Sequence, residues 1–187
     1  MRIAVLALQG AFIEHRQKLK DLKIDSFEIR KKDDLNNPFD ALILPGGEST
    51  VQGKLLRELD LLKPLRERIS SGMPVMGTCA GLILLAEQIE NEAASHFATL
   101  PVTVNRNAYG RQLGSFYAED SFANFNNIPM TFIRAPCVTK APQDVSVLAK
   151  VDNRIVGVRW KNQLGISFHP ELTEDLTVHR YFISMVE

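Results

Sequence analysis

The 187 residues suffice for one compact domain with a sizeable core, read as a single unit spanning 1–187, and therefore for one active site. Twenty-two basic side chains balance 22 acidic ones with no basic cluster, which argues against a nucleic-acid binder, since such proteins need excess Lys and Arg to displace counterions. With 45% hydrophobic and 24% charged residues the profile is that of a soluble globular protein, and two cysteines are too few for a disulfide framework.

The chain opens on a short apolar run, residues 3–8, far too short to span a bilayer and without a cleavage site after it. It reads as a buried first strand of a cytoplasmic protein with reduced thiols. A helix is predicted over 12–23, strands over 26–30 and 41–44, helices over 51–62 and 65–70, a strand over 74–76 and a helix over 81–88. Strands alternating with helices imply a parallel sheet covered on both faces. Past Asn91 the texture changes to short extended runs at 102–104, 114–118, 131–133, 145–149, 155–160 and 164–168, some of which add antiparallel strands to the same sheet. A last helix follows Thr173, its expected cap, with Glu174 and Asp175 in its first turn and Leu176, Phe182 and Met185 on its apolar face. The expected fold class is α/β, a three-layer sandwich of flavodoxin-like type with a mixed, mainly parallel sheet.

The run Gly77-Thr78-Cys79-Ala80-Gly81 lies between a predicted strand and a predicted helix. A residue at so sharp a bend needs small neighbours two positions away on both sides, so G-x-C-x-G is the cysteine version of a nucleophile elbow. The bend puts Cys79 at a helix N-terminus, where thiolate is favoured over thiol and backbone N–H groups can hold an oxyanion. The same pattern also suits a small buried Cys packing a strand end.

A thiolate that attacks an amide needs a His oriented by a carboxylate. Of the four histidines, only His169 follows a buried-looking strand and precedes a stiffening Pro; His15, His96 and His179 read as solvated surface residues. Glu171, two positions on, can reach the imidazole and fix its tautomer. His169 at the C-terminal end of a strand would share the ligand-binding edge of the sheet with Cys79. Gly46 and Gly47 end the strand at 41–44 and let backbone approach a ligand, with Glu48, Ser49 and Thr50 opening a helix. Arg106 and Arg134 are candidates to clamp a substrate carboxylate. Cys137, beside Pro136 and without glycines or a histidine, reads as packing. No His/Cys spacing matches a zinc site, so no metal is expected.

Five motifs in order, LALQGAFIEH, LPGGEST, GTCAG, RNAYGRQ with FIRAP, and SFHPEL, resemble the glutaminase subunit of pyridoxal 5'-phosphate synthase, a branch of the class I (triad) glutamine amidotransferases. The resemblance implies that Cys79 attacks the side-chain amide of L-glutamine, that His169 passes a proton to the departing ammonia and that Glu171 orients His169. It further implies a glutamine site lined by Gly46, Gly47, Glu48, Arg106, Ile133 and Arg134, and an oxyanion hole from the Gly47 and Ala80 amides. Gln9 and Gly10 would form a loop that couples the site to partner docking. The implied partner is a synthase subunit with a (β/α)8 barrel, in an assembly of twelve synthase and twelve glutaminase subunits, with no cofactor on the glutaminase. Two departures from the pattern stand out: Val51 where a second Thr commonly follows EST, and His96-Phe97-Ala98 in place of a Gly-containing stretch. The same residues would also serve a glutaminase for another ammonia-using synthase, or a same-fold cysteine hydrolase or protective protein.

Overall fold

The computed structural model describes residues 1–109 and 114–186. In chain order the elements are β1 (Arg2–Leu6), α1 (Phe12–Asp21), β2 (Asp25–Ile29), β3 (Ala41–Leu44), α2 (Ser49–Glu58), α3 (Leu62–Ser70), β4 (Val75–Thr78), α4 (Ala80–Leu85) and β5 (Ala86–Ile89). There follow β6 (Leu100–Asn105), β7 (Ser115–Phe122), β8 (Phe125–Ile133), β9 (Cys137–Lys140), β10 (Ser146–Val151), β11 (Arg154–Trp160), β12 (Gln163–Ile166) and α5 (Thr177–Ile183).

Strands β2, β1, β3, β4 and β12 lie side by side and parallel. Beyond β12 the sheet turns antiparallel through β11, β9 and β6, and closes with β5 parallel to β6; β10 pairs β11 off that path. The period of two in a pleated strand sends alternate side chains to opposite faces. Ala4, Leu6, Leu42 and Leu44 pack into one core with Leu56, Leu65 and Ile69 of α2 and α3 and the apolar α4. Ile3, Val5, Ile43 and Ile166 pack into a second, with Leu19 of α1, Phe182 of α5 and Phe132 of the β7–β8 hairpin. Both faces of the central strands are covered, which is why these strands read as continuous apolar runs rather than alternating ones.

Three local differences from the expected elements have physical causes. Helix α4 stops at Leu85, three residues short, because the Leu84 and Leu85 carbonyls accept hydrogen bonds from Phe97 and Thr99 as the chain returns. The next residues are drawn out as β5. The last helix begins at Thr177, not after Thr173: the Pro170–Leu172 segment forms a 3-10 turn with Thr173 at its end, and the Thr177 amide donates to Asp175 Oδ1 at 2.7 Å. Strand β9, whose two buried residues are followed by two exposed ones, carries no alternating signal. Cys137 lies on it, buried and unpaired, as a packing residue.

Candidate active site

Four loops that matter leave the C-terminal ends of parallel strands: residues 7–11 after β1, 45–48 after β3, Cys79 after β4 and 167–169 after β12. Strands β3, β4 and β12 are immediate neighbours, and Thr78 pairs with Ile166, so Cys79 and His169 emerge side by side on one rim. The Cys79 amide donates to the Ile166 carbonyl at 2.8 Å, which ties the bend to the adjoining strand.

Cys79 adopts φ 48° and ψ −100°, a conformation that a side-chain-bearing residue takes only under constraint. The constraint is steric. A Cβ at Gly77 would run into the Gly81 backbone, and one at Gly81 into the Leu44 carbonyl of β3. Strand, bend and helix pack so closely that only hydrogen fits at both flanks. Ala80, the first residue of α4, has an amide without an intrahelical acceptor, available to a developing oxyanion.

The loops after β1 and β3 are built as one piece. Gln9 Oε1 accepts from the Glu48 amide at 2.7 Å, Gln52 Nε2 donates to the Gln9 carbonyl at 2.8 Å, and the Ala11 amide donates to the Gly46 carbonyl at 3.0 Å. Gly10, at φ 104°, lies against that same carbonyl with no room for a Cβ. Gly46 in turn lies against the His169 ring, where a methyl group would overlap Cε1.

A cavity of about 630 Å³ opens over Cys79 and His169. Gly47, Glu48, Arg106, Ile133 and Arg134 line it, as the resemblance implies, and so does Gln9, expected instead in a coupling loop. Ser49, Ile83, Asn107 and Ser115 line it too. Of these, Ile83 stands one helical turn beyond Cys79 and Ser49 and Asn107 fall inside quoted motifs, so their neighbours signalled them; Ser115 had no such signal. Gly46, expected to line the site, is not among its lining residues, nor are Gly10, Ala80 and Glu171. Gly110, Arg111 and Gln112 of the RNAYGRQ motif lie outside the described residues.

The two arginines differ. The Arg106 guanidinium pairs with Glu92, Nε to Oε1 at 3.0 Å, and donates to Thr50 Oγ1 at 2.7 Å. The Arg134 side chain makes no ion pair or hydrogen bond among the described residues, and its backbone, at φ 45°, is held by a bond to the Gly114 carbonyl. Of the two cations lining the cavity, Arg106 is held by partners within the protein.

His169 Nδ1 meets Glu171 Oε1 at 2.7 Å. Burial alone would push the imidazolium pKa down. Hydrogen bonding to Cys79 and to Glu171, with the charge of each, overrides burial and pushes the pKa up to about 10. Burial likewise pushes the Glu171 carboxyl up, and His15 and His169 pull it below the ordinary carboxylate value. A ring whose charged form is favoured, with a carboxylate on Nδ1 and Cys79 on the adjoining strand end, is able to protonate a leaving amine.

Two histidines expected at the surface are not there. His15 and His179 are 0% exposed and bonded to each other, Nδ1 to Nε2 at 3.0 Å, and burial pushes both pKa values down. Helical spacing carried the missed signal: His15 shares the buried stripe of α1 with Leu19, four residues on, and His179 that of α5 with Phe182. His96 is half-buried against Gly53 of α2, its pKa pushed down to about 4 by burial and by Arg57 and Arg106.

Residues 5–187 match the family described as the SNO glutamine amidotransferase family. The chain belongs to that family. Among curated relatives, a protein of Desulfitobacterium hafniense (strain DSM 10664 / DCB-2) named pyridoxal 5'-phosphate synthase subunit PdxT is 58% identical over 186 residues, covering 100% of this chain and 94% of that one. A protein of the same name from Streptococcus pneumoniae (strain CGSP14) is 54% identical over 188 residues, covering 99% and 97%. A solved glutamine amidotransferase superposes with a TM-score of 0.92 at 43% identity, covering 98% of each chain. The structure of PurLQS from Thermotoga maritima, at 16% identity and a TM-score of 0.66, shares the fold. Among the described residues no helix is long and apolar enough to cross a membrane, and no cluster of His, Cys, Asp and Glu is arranged to hold a metal.

Proposed function

We propose that the chain is the glutaminase subunit of a pyridoxal 5'-phosphate synthase, releasing ammonia from L-glutamine for a synthase subunit. The observation that carries the chemistry is the emergence of Cys79 and His169 from adjacent paired strands, with Glu171 bonded behind the imidazole. The choice of synthase rests on full-length relatives at 54–58% identity that bear that name.

In this reading glutamine enters the cavity with its carboxylate toward Arg134 and its amide over Cys79. The sulfur attacks the amide carbon, and the oxyanion is received by the Gly47 and Ala80 amides. His169, charged at rest, gives its proton to the departing ammonia, leaving a thioester on Cys79. The neutral imidazole then takes a proton from water, whose oxygen attacks the thioester carbon; the second oxyanion collapses, glutamate leaves and the thiolate returns. Glu171 holds the ring in register throughout.

Gln9 and Gly10 support a coupling role, because they carry hydrogen bonds and steric contact into the loop that presents Gly47. The partner is a synthase subunit; its (β/α)8 barrel, an assembly of twelve plus twelve subunits, and a cytoplasmic setting belong to the same proposal.

The test is ammonia release from glutamine, with and without the synthase subunit. We expect weak turnover by the isolated chain and a strong rise on adding the synthase. Cys79→Ala should abolish turnover while preserving the fold and synthase binding. Turnover that survives in that variant would remove Cys79 as nucleophile, and an isolated chain already at full rate would remove the coupling through Gln9 and Gly10.

A further inference from the structure

Behind Glu171 the polar chain continues. Its second oxygen, Oε2, is enclosed and makes no hydrogen bond within ordinary limits among the described residues. His15 Nε2 lies 3.4 Å from it and 3.1 Å from Thr78 Oγ1, in the strand that delivers Cys79. His15 Nδ1 meets His179 Nε2, and His179 Nδ1 ends the chain with no partner among the described residues. His15, His179, Thr78 and the Glu171 side chain are all closed to solvent.

The protons in this chain follow from what each atom can do. An ionised carboxylate only accepts, so a lone pair on His15 Nε2 facing Oε2 would be repelled, whereas an N–H there is attracted. A proton on Nε2 of a neutral ring leaves Nδ1 bare, and a bare Nδ1 needs the donor that His179 Nε2–H supplies. The reverse arrangement turns a lone pair toward the carboxylate and strands a buried N–H on His179 Nδ1, where no acceptor stands. Burial lowers the pKa of both rings, which favours their uncharged forms and so this order.

We infer that His15, fixed in its Nε2–H form by His179, is a positioning residue that holds the free oxygen of Glu171 and thereby the orientation of His169. The kinetic consequence rests on the glutaminase reading; the proton arrangement does not. The hydrogen-bond partner of Nε2 is Thr78 Oγ1 at 3.1 Å, and at 3.4 Å Oε2 feels the N–H as a nearby positive dipole and not as a hydrogen bond, so the effect on rate is modest. Oε1 carries the main bond to His169, and His15 prevents the carboxylate from rotating away from it.

Two measurements on the full chain decide the matter. The 15N resonances of labelled imidazoles distinguish the two neutral tautomers from the imidazolium, with or without any turnover; we expect His15 neutral and protonated on Nε2. A proton on Nδ1, or a charged His15, overturns the inference. With the synthase present, His15→Phe keeps the ring volume but removes the donor, and should lower kcat about tenfold with KM for glutamine within about twofold. His15→Gln can return an N–H toward Oε2 and should recover most of the rate. Unchanged kcat in a folded His15→Phe, or a His15→Gln as slow as His15→Phe at equal thermal stability, also overturns it. Should the unaltered chain release no ammonia even with synthase, the glutaminase reading fails, while the resonances still decide the proton on His15.

Discussion

At the scale of single residues, the site depends on atoms that are missing as much as on those present. Gly46 touches the imidazole proposed to move protons, so Gly46→Ala presses a methyl group into the His169 ring. We expect kcat for glutamine hydrolysis to fall about a hundredfold, the usual cost of displacing a catalytic group by about an ångström, with a smaller change in KM. Steady-state ammonia release would show it; an unchanged kcat would mean that the ring tolerates displacement. Most of this was legible. Cys79, His169 and Glu171 announce themselves because strained bends and strand-end histidines demand particular neighbours, which appear in sequence. What was not legible is pairing between distant segments: Arg106 is neutralised by Glu92, and His15 and His179 meet across 164 positions.

At the scale of elements, departures from expectation cluster where tertiary hydrogen bonds override local preference. Helix α4 and strand β5 are the clearest case, since nothing in the composition of residues 81–88 marks where one ends. The stretch leading into β6 is another. Ala98, in the stretch 96–98 that the family resemblance expects to contain a glycine, sits at φ 51°, and a Cβ in that left-handed region costs about 1–2 kcal/mol. Ala98→Gly is therefore expected to stabilise the protein by about 1 kcal/mol, part of the relief being offset by the greater freedom of glycine in the unfolded chain. Chemical denaturation checks the sign, and a destabilised variant would contradict the strain argument.

At the scale of the whole molecule, the buried titrating groups set opposing limits on stability. His15 and His179 have lowered pKa values, so the stability they confer is present above the ordinary value of 6.5 and is lost as pH falls below it. Glu171, also lowered, adds a loss at still lower pH, below its ordinary 4.5. His169 is raised, so its contribution is full below 6.5 and is lost as pH rises toward about 10. Thermal unfolding should therefore peak near pH 6.5, with an acid limb flattened in His179→Phe and an alkaline limb flattened in His169→Gln; limbs unaltered in those variants would show that other groups set the profile. The layer order and the parallel half of the sheet were legible because they follow from apolar runs alternating with amphipathic ones. The order of the antiparallel strands was not, since short strands carry no mark of which neighbour they choose. One asymmetry of the sheet has a practical side. All the loops of the candidate site crowd one rim, while the opposite rim carries the turn of Gly72, whose φ of 102° would strain an added side chain, and beside it the exposed Ser71. A reporter dye or surface tether attached there would sit a full strand's length from the thiol, leaving the enzyme free to be immobilised or tracked while it works.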